Sequence, residues 1–284
     1  MNQEAPVLYE RVGRLALITF NRPEKLNAIN GDMQRLLREG LTEAKSDDSV
    51  RVVVLRGRGR AFSAGADLGG GGPPRPDAQG AAQNAPRAER GLANERQGNL
   101  DGLLTTGFMA WDLPKPVICQ IQGYCLGIAN VLASLTDMRI VAKDAQIGWP
   151  SLPMGGALIS PFWAWYAGPA KAKEFSMIIG KKISGDEAVA YGWANQAVPA
   201  DDLEATTIAF GNEVAKVSSD LLAIKKAAIN HQMESMGFRR GVMLAAEMNT
   251  MSHHTTPVGY VAQKRAELGL RGTYDWWENG DGIP

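Results

Sequence analysis

The sequence predicts a layered α/β fold with parallel strands, extended at its C-terminal end by helices. Short β-branched apolar runs alternate with helix-like segments along the first 200 residues. Two of these runs end in glycine-rich turns, and no strand pattern follows Val198. Because no Ser/Gly-rich linker divides the 284 residues, we predict one core domain over 1–200 and a helical extension over 201–284.

The N-terminal elements follow from the apolar periodicity. Residues 7–11 and 15–20 are β-type runs around Gly13, a pattern typical of a hairpin. A helix is predicted from Asn30, whose side chain can cap it. Its apolar residues share one face: Met33, Leu36, Leu37 and Leu41. Residues 51–55 are apolar almost throughout, which indicates a strand buried on both faces.

The remaining elements follow a low-complexity segment, 69–91, rich in Gly, Pro, Ala and Gln. This segment is either a surface insertion or a lid over a pocket. A helix is predicted over 92–111, and buried strands over 116–122 and 138–142. Ser184 to Glu187 form a capping box that opens another helix. Further helices are predicted over 202–217, 220–236, 241–251 and 257–268.

Composition narrows the class of partner. Thirty basic and thirty acidic residues cancel, and no Lys/Arg cluster of the kind that follows nucleic acid is present. Cys119 and Cys125 are too few for a disulfide framework and lack the spacing of a zinc site. The N-terminus shows no targeting pattern, and no run of about 18 apolar residues occurs. We therefore expect a cytoplasmic protein that binds neither membrane, metal nor nucleic acid.

Two glycine-rich turns, 62–68 and 123–130, are the most informative feature of the sequence. Each follows a β-branched apolar run and leads toward a helix-like segment. Such turns expose peptide N–H groups without intrahelical partners, and two facing turns could hold one carbonyl oxygen as its negative charge grows. The alternative is a pair of ordinary strand-to-helix connections.

The chain resembles the crotonase superfamily, the group of enoyl-CoA hydratases and isomerases. The resemblance covers nearly the whole chain and depends on the order and spacing of five segments. These segments are LITFNRPEKLNA (17–28), VVVLRGRGRAFSAGADL (52–68), PKPVICQIQGYCLG (114–127), ISGDEAVAYGWANQAVP (183–199) and GYVAQKR (259–265). The resemblance implies a crotonase-like spiral of repeated ββα units, with C-terminal helices used in oligomerisation into trimers or hexamers.

The resemblance also implies the site. Family members bind acyl-CoA thioesters and stabilise an enolate with two peptide N–H groups, which here fall on Ala66 and Ile128. Ile128 stands where the family usually has glycine, and its branched side chain narrows the approach. Coenzyme A enters as part of the substrate, and no tightly bound cofactor is expected. The implied CoA-binding residues are Lys25, Ala64, Ala66, Asp67, Leu68, Gly69, Gly127 and Lys264, the last reaching from a neighbouring subunit.

The two family glutamates are missing. Water addition across a double bond needs one group to orient or deprotonate the water and another to deliver a proton. The corresponding positions hold Val131 and Ser151, and neither is a carboxylate. Ser151 remains a candidate catalytic residue by position, but a serine without an identified base is a poor nucleophile, and it could equally be a turn or cap residue.

Other candidates have structural alternatives. Tyr124, Trp149 and Trp163 could line an acyl pocket or pack in the core. Candidate acids in or after the insertion are Glu89, Glu95 and Asp101, each of which could simply be a solvated charge. Asp137 resembles a structural position, and Cys125 has no local histidine that would activate it. His231, His253 and His254 all lie in the helical C-terminal part, where we expect no catalytic role.

The sequence therefore predicts an acyl-CoA-processing enzyme, nominally an enoyl-CoA hydratase, that polarises the thioester carbonyl and stabilises an enolate. Classical hydration is not expected. Two alternatives remain open. One is a different enolate reaction on a bulky acyl-CoA, such as C–C hydrolysis, isomerisation or thioester cleavage. The other is a protein that binds acyl-CoA without catalysis.

Overall fold

The computed structural model describes residues 5–68, 96, 98, 100–149 and 151–280. The expected mixed α/β architecture is confirmed. Its larger sheet has six strands, of which the first two pair antiparallel and the others parallel. In spatial order they are β1 (Val7–Val12), β2 (Leu15–Phe20), β3 (Val52–Gly57), β4 (Val117–Ile121), β6 (Met138–Ala142) and β9 (Gln196–Val198).

The central strands form the core because they are apolar along their whole length. Every residue of β2 and β4 is buried, as a parallel sheet covered by helices requires. Helix α1 (Gly31–Ser46) contacts β1 and β2, and its predicted cap is confirmed: the Asn30 side chain accepts from the Met33 N–H at 3.0 Å. A π-helical turn, Leu100–Leu104, then leads into α2 (Thr105–Asp112).

A second, three-stranded sheet is not predicted by the sequence. It contains β5 (Tyr124–Leu126), β7 (Gln146–Gly148) and β8 (Lys182–Ile183). Strands of two or three residues are too short to show a period of two, which explains why sequence analysis missed them. Between β5 and β6 lies helix α3 (Ile128–Ser134), which opens directly at the second glycine turn.

Helices dominate the chain after β7. They are α4 (Ser160–Tyr166), α5 (Gly168–Met177), α6 (Gly185–Ala190), α7 (Leu203–Val214), α8 (Ser219–Ser235), α9 (Phe238–His253) and α10 (Thr256–Asn279). The capping box that opens α6 is confirmed. Helix α7 packs on β3, β4 and β6, and α9 packs on α4 and α8. The C-terminal third thus continues the core, and its division at residue 201 stays a prediction.

Among the described residues, no helix is both long and apolar enough to cross a bilayer.

Candidate active site

The first glycine turn is fixed by the loop that precedes α1. Leu26 and Asn27 adopt positive φ angles of 50° and 54°. The fully buried Asn27 amide donates to the carbonyl oxygens of Arg58 and Ala61 at 3.0 and 2.8 Å. The Leu26 carbonyl in turn accepts from the Ala64 N–H at 2.9 Å. Loop and turn therefore form one hydrogen-bonded unit.

A shielded ion pair closes the same turn. The Arg22 guanidinium lies 2.8 Å from the Asp67 carboxylate, and only 18% and 13% of the two side chains is exposed. Arg22 also donates to the Ala28 carbonyl at 2.7 Å. Because one guanidinium contacts both the loop and the turn, it fixes their relative positions. Asp67 is therefore part of the framework that shapes the turn.

The two glycine turns lie side by side in parallel register. Ser63 and Cys125 form a parallel bridge, flanked by backbone hydrogen bonds of 2.9 and 3.2 Å. Ala66 and Ile128 each stand three residues beyond this bridge. Both residues therefore follow the point where the two turns pair by the same short stretch of chain.

Gly65 makes the close approach of the two turns possible. Its φ is +101°, and a Cβ at this position would lie 2.7 Å from the Leu126 carbonyl oxygen. Both the backbone conformation and the available space therefore exclude a side chain. Gly127, with φ +56°, changes the chain direction between β5 and α3.

Both candidate amides remain available to a ligand. Ala66 bridges Ile29, but the bridge uses the Gly65 carbonyl and the Asp67 N–H, at 2.7 and 3.0 Å. Ile128 is the first residue of α3, where an N–H has no intrahelical acceptor. Within the described residues neither the Ala66 N–H nor the Ile128 N–H has a hydrogen-bond partner.

The two residues line one cavity of about 360 Å³, a size within the usual range of small-molecule sites. The cavity wall combines the start of α1, both glycine turns, the segment after β7 and the last two helices. The predicted residues in this wall are Ala64, Ala66, Asp67, Leu68, Gly127, Ile128 and Ser151, and Val131 lies beside them. Gly69 lies outside the described residues.

The two lysines lie apart from this wall. Lys25 is an exposed residue of the short 3₁₀ helix Pro23–Lys25, next to the loop that holds the first turn. Lys264 pairs with Glu267 at 2.9 Å, and its ammonium lies 5.5 Å from the centre of the Tyr260 ring. Their contact with CoA phosphates stays a prediction.

The aromatic residues expected in an acyl pocket are placed differently. Trp163 is completely buried and stacks on Trp193, with ring centres 5.4 Å apart. Trp149 is 3% exposed and lies 5.7 Å from Trp163, while half-buried Tyr124 has the Lys182 ammonium 6.0 Å from its ring. None belongs to the described cavity wall. Trp149 and Trp163 instead pack against other aromatic rings in the core.

The structure brings an unexpected histidine to the cavity. The lining includes Asn249 and His253 from α9 and Tyr274 from α10. The sequence predicts no role for His253, because His253 is more than one hundred positions from Ser151 and no local pattern shows that the two lie in one cavity. Its approach depends on α9 packing against α4. Of the candidate acids, Glu89, Glu95 and the Asp101 side chain lie outside the described part of the chain.

Asp137 and the cysteines have structural environments. Asp137 pairs with Lys226 and accepts from the Val117 N–H, both at 2.7 Å. Burial raises its pKa, opposed by the charge of Lys226. Burial likewise raises the pKa of Cys119 to about 12 and that of Cys125 well above its ordinary value. These thiols stay protonated and unreactive near neutral pH.

A larger concavity, of about 570 Å³, lies elsewhere, between α1, α2 and α9. Its polar lining consists of Thr42, Lys45, Thr105 and Asp112, and its other residues are apolar. Neither glycine turn reaches it. The smaller cavity is therefore the candidate active site, because only there do two backbone donors converge with an imidazole.

Comparison with known proteins agrees with this fold and cavity. A family model described as enoyl-CoA hydratase/isomerase matches residues 10–264. A Mycobacterium tuberculosis protein named "Putative enoyl-CoA hydratase EchA13" is 30% identical, over 95% of this chain and 87% of its own. The short-chain-enoyl-CoA hydratase of Clostridium acetobutylicum is 28% identical, over 80% and 82%.

Solved structures give the same result. The crystal structure of an enoyl-CoA hydratase/isomerase from Xanthobacter autotrophicus Py2 is 29% identical, covers 95% of this chain and 96% of its own, and superposes with a TM-score of 0.84. The fold and these matches identify a member of the crotonase superfamily. The chain belongs to its enoyl-CoA hydratase/isomerase family.

Proposed function

We propose that the protein binds an acyl-CoA thioester and stabilises its enolate through the N–H groups of Ala66 and Ile128. The pairing of the two glycine turns carries this proposal, because the two residues that follow it, Ala66 and Ile128, line one cavity and their N–H groups have no partner among the described residues. Donors fixed before the reaction contribute on the order of 10² to 10³ each to acyl chemistry.

Efficient hydration is not part of the proposal. Val131 and Ser151 occupy the positions of the family glutamates, and both belong to the cavity wall. General acid–base catalysis contributes roughly 10² to 10⁴ per group. Loss of both carboxylates would therefore remove most hydratase activity, whereas thioester binding and carbonyl polarisation depend on the backbone and would persist.

The coenzyme A moiety would extend from the cavity along 64–68, with Lys25 and, from a neighbouring subunit, Lys264 near its phosphates. The apolar residues exposed on α8, among them Leu221, Ile224 and Ile229, support assembly into a trimer or hexamer. A cytoplasmic location is proposed with this function.

An assay with crotonyl-CoA tests the separation of binding from hydration. We expect binding that calorimetry detects, together with slow hydration. Fast hydration that the Ser151→Ala substitution leaves unchanged would contradict the proposal.

A panel of short, branched and cyclic acyl-CoA esters distinguishes the alternatives. Turnover of a bulky ester without water addition would favour another enolate reaction. Tight binding of several esters with no turnover would favour a protein that binds acyl-CoA without catalysis.

A further inference from the structure

His253 lines the cavity, and its imidazole has no role in the function proposed above. We infer that His253 removes and returns a proton at the carbon beside the thioester carbonyl, so that the site catalyses proton exchange and double-bond migration. This inference rests on the proposed function, because the reaction needs an acyl thioester held by the Ala66 and Ile128 amides.

Elimination among the described lining residues points to His253. Three of them carry ionisable side chains: Asp67, His253 and Tyr274. The Asp67 carboxylate holds the first turn to the preceding loop through Arg22, 2.8 Å away, so its role is structural. Burial raises the pKa of Tyr274, so its phenol stays protonated and does not act as a base near neutral pH. A neutral imidazole has one nitrogen that accepts a proton and one that donates a proton.

The position of His253 is fixed by the cavity wall. The residue ends α9 and is 8% exposed. Its ring lies against Gly155, where a Cβ would come within 2.7 Å of Nε2 and 2.9 Å of Cδ2. Gly155 has a φ of +116°, so conformation and space both require glycine. The Gly155 backbone therefore lies closer to the imidazole ring than a residue with a side chain would allow.

A hydrogen bond from the same helix holds this wall. Asn249, one turn before His253, accepts the Gly156 N–H at 3.2 Å. Gly156 also has a positive φ, +101°. Helix α9 thus supplies both the imidazole and the contact that keeps the neighbouring backbone in place, an arrangement that limits the freedom of a proton-transfer group.

The reaction needs no co-reactant. The imidazole takes a proton from the carbon next to the carbonyl, so that a C–H bond breaks and an N–H bond forms. The electron pair moves onto the thioester oxygen, where the amides of Ala66 and Ile128 hold the enolate. Return of the proton to the same carbon gives exchange. Return to the γ-carbon of a 3-enoyl ester shifts the double bond and regenerates neutral imidazole.

Two probes in deuterium oxide test this inference: 3-butenoyl-CoA and 4-phenyl-3-butenoyl-CoA. Mass spectrometry measures deuterium incorporation, absorbance measures migration of the double bond, and calorimetry measures binding. The variants are His253→Gln, which keeps most of the side-chain volume, and His253→Ala, which leaves space for added imidazole. His254→Gln is the matched control, since His254 is the adjacent histidine and is exposed.

We expect both His253 variants to lose roughly 10² to 10⁴ of the exchange rate while binding changes only a few-fold. Added imidazole restores exchange in His253→Ala, and His254→Gln keeps the original rate. The inference is overturned if the unmodified protein binds a probe without exchanging it, or if His253→Gln exchanges normally. Absence of binding by the unmodified protein would instead refute the proposed function. If His253→Ala does not fold, the exchange rate of His253→Gln alone tests the role of His253.

Discussion

One side of the cavity presents backbone groups, and the other presents side chains. On one side, backbone N–H groups of Ala66 and Ile128 are positioned by two paired turns. On the other, side chains form the wall: Val131 and Ser151, which the family resemblance aligns with its two glutamates, and His253 from a distant helix. The path of a backbone survives many substitutions, whereas acid–base chemistry changes with a single residue. Substitutions can therefore change proton transfer while carbonyl polarisation is kept.

The largest expected effect comes from disrupting the backbone side. Gly65→Ala introduces a Cβ 2.7 Å from the Leu126 carbonyl oxygen at a φ of +101°, which must displace the first turn. We expect proton exchange on 3-enoyl-CoA to fall by about 10² to 10³, the contribution of one oxyanion donor.

Gly192→Ala is the matched control for that variant, because Gly192 lies outside the described cavity wall. Its φ is also positive, at +75°, but nothing lies within 4 Å of its Cβ position. It should share the conformational strain and keep the exchange rate. Equal losses in the two variants would show that strain, rather than the paired turns, explains the effect.

Carboxylates introduced at positions 131 and 151 should add acid–base catalysis to the side of the cavity that is formed by side chains. The double variant Val131→Glu with Ser151→Glu should raise crotonyl-CoA hydration at least about tenfold, since each acid–base group contributes roughly 10² to 10⁴ in a fully adapted site. The comparison is the matched Gln pair, which has the same shape without charge. A Glu pair that binds crotonyl-CoA yet hydrates no faster than the Gln pair would show that these are not the acid–base positions.

The smallest expected effect concerns the hydrogen bond that holds the wall beside His253. Asn249→Ala removes the acceptor of the Gly156 N–H, a loss of about 1 kcal/mol. Proton exchange should fall about fivefold with acyl-CoA binding unchanged. The control is Asn230→Ala, which removes a 2.9 Å hydrogen bond to the Trp111 carbonyl, away from the cavity. Equal effects in both variants would show that the hydrogen bond of Asn249 has no specific effect on proton exchange.

The backbone side could be predicted from the sequence because its signals are local. A β-branched run followed by a glycine turn indicates a strand and an exposed amide, and in the structure the two turns pair at Ser63 and Cys125. The side-chain side could not be predicted in the same way. His253 reaches the cavity only through packing between α9 and α4, which leaves no local pattern.

Trp163 shows where residue type is ambiguous. The sequence left both a substrate wall and core packing open for it, and in the structure Trp163 packs with Trp193 and Phe175 in the core. An apolar aromatic residue suits both environments equally well, so residue type alone does not distinguish them. Sequence was informative where chemistry depended on chain conformation and less so where it depended on contacts between distant helices.

The absorption spectrum of a bound aromatic enoyl-CoA, such as cinnamoyl-CoA, reports directly on polarisation of the thioester carbonyl. Hydrogen bonds to the thioester oxygen draw electron density from the conjugated system and move its absorption to longer wavelength. We predict a red-shifted band that persists because the double bond is not hydrated. A bound ester with an unshifted band would contradict polarisation by Ala66 and Ile128, and rapid loss of the band through water addition would contradict the separation of polarisation from hydration.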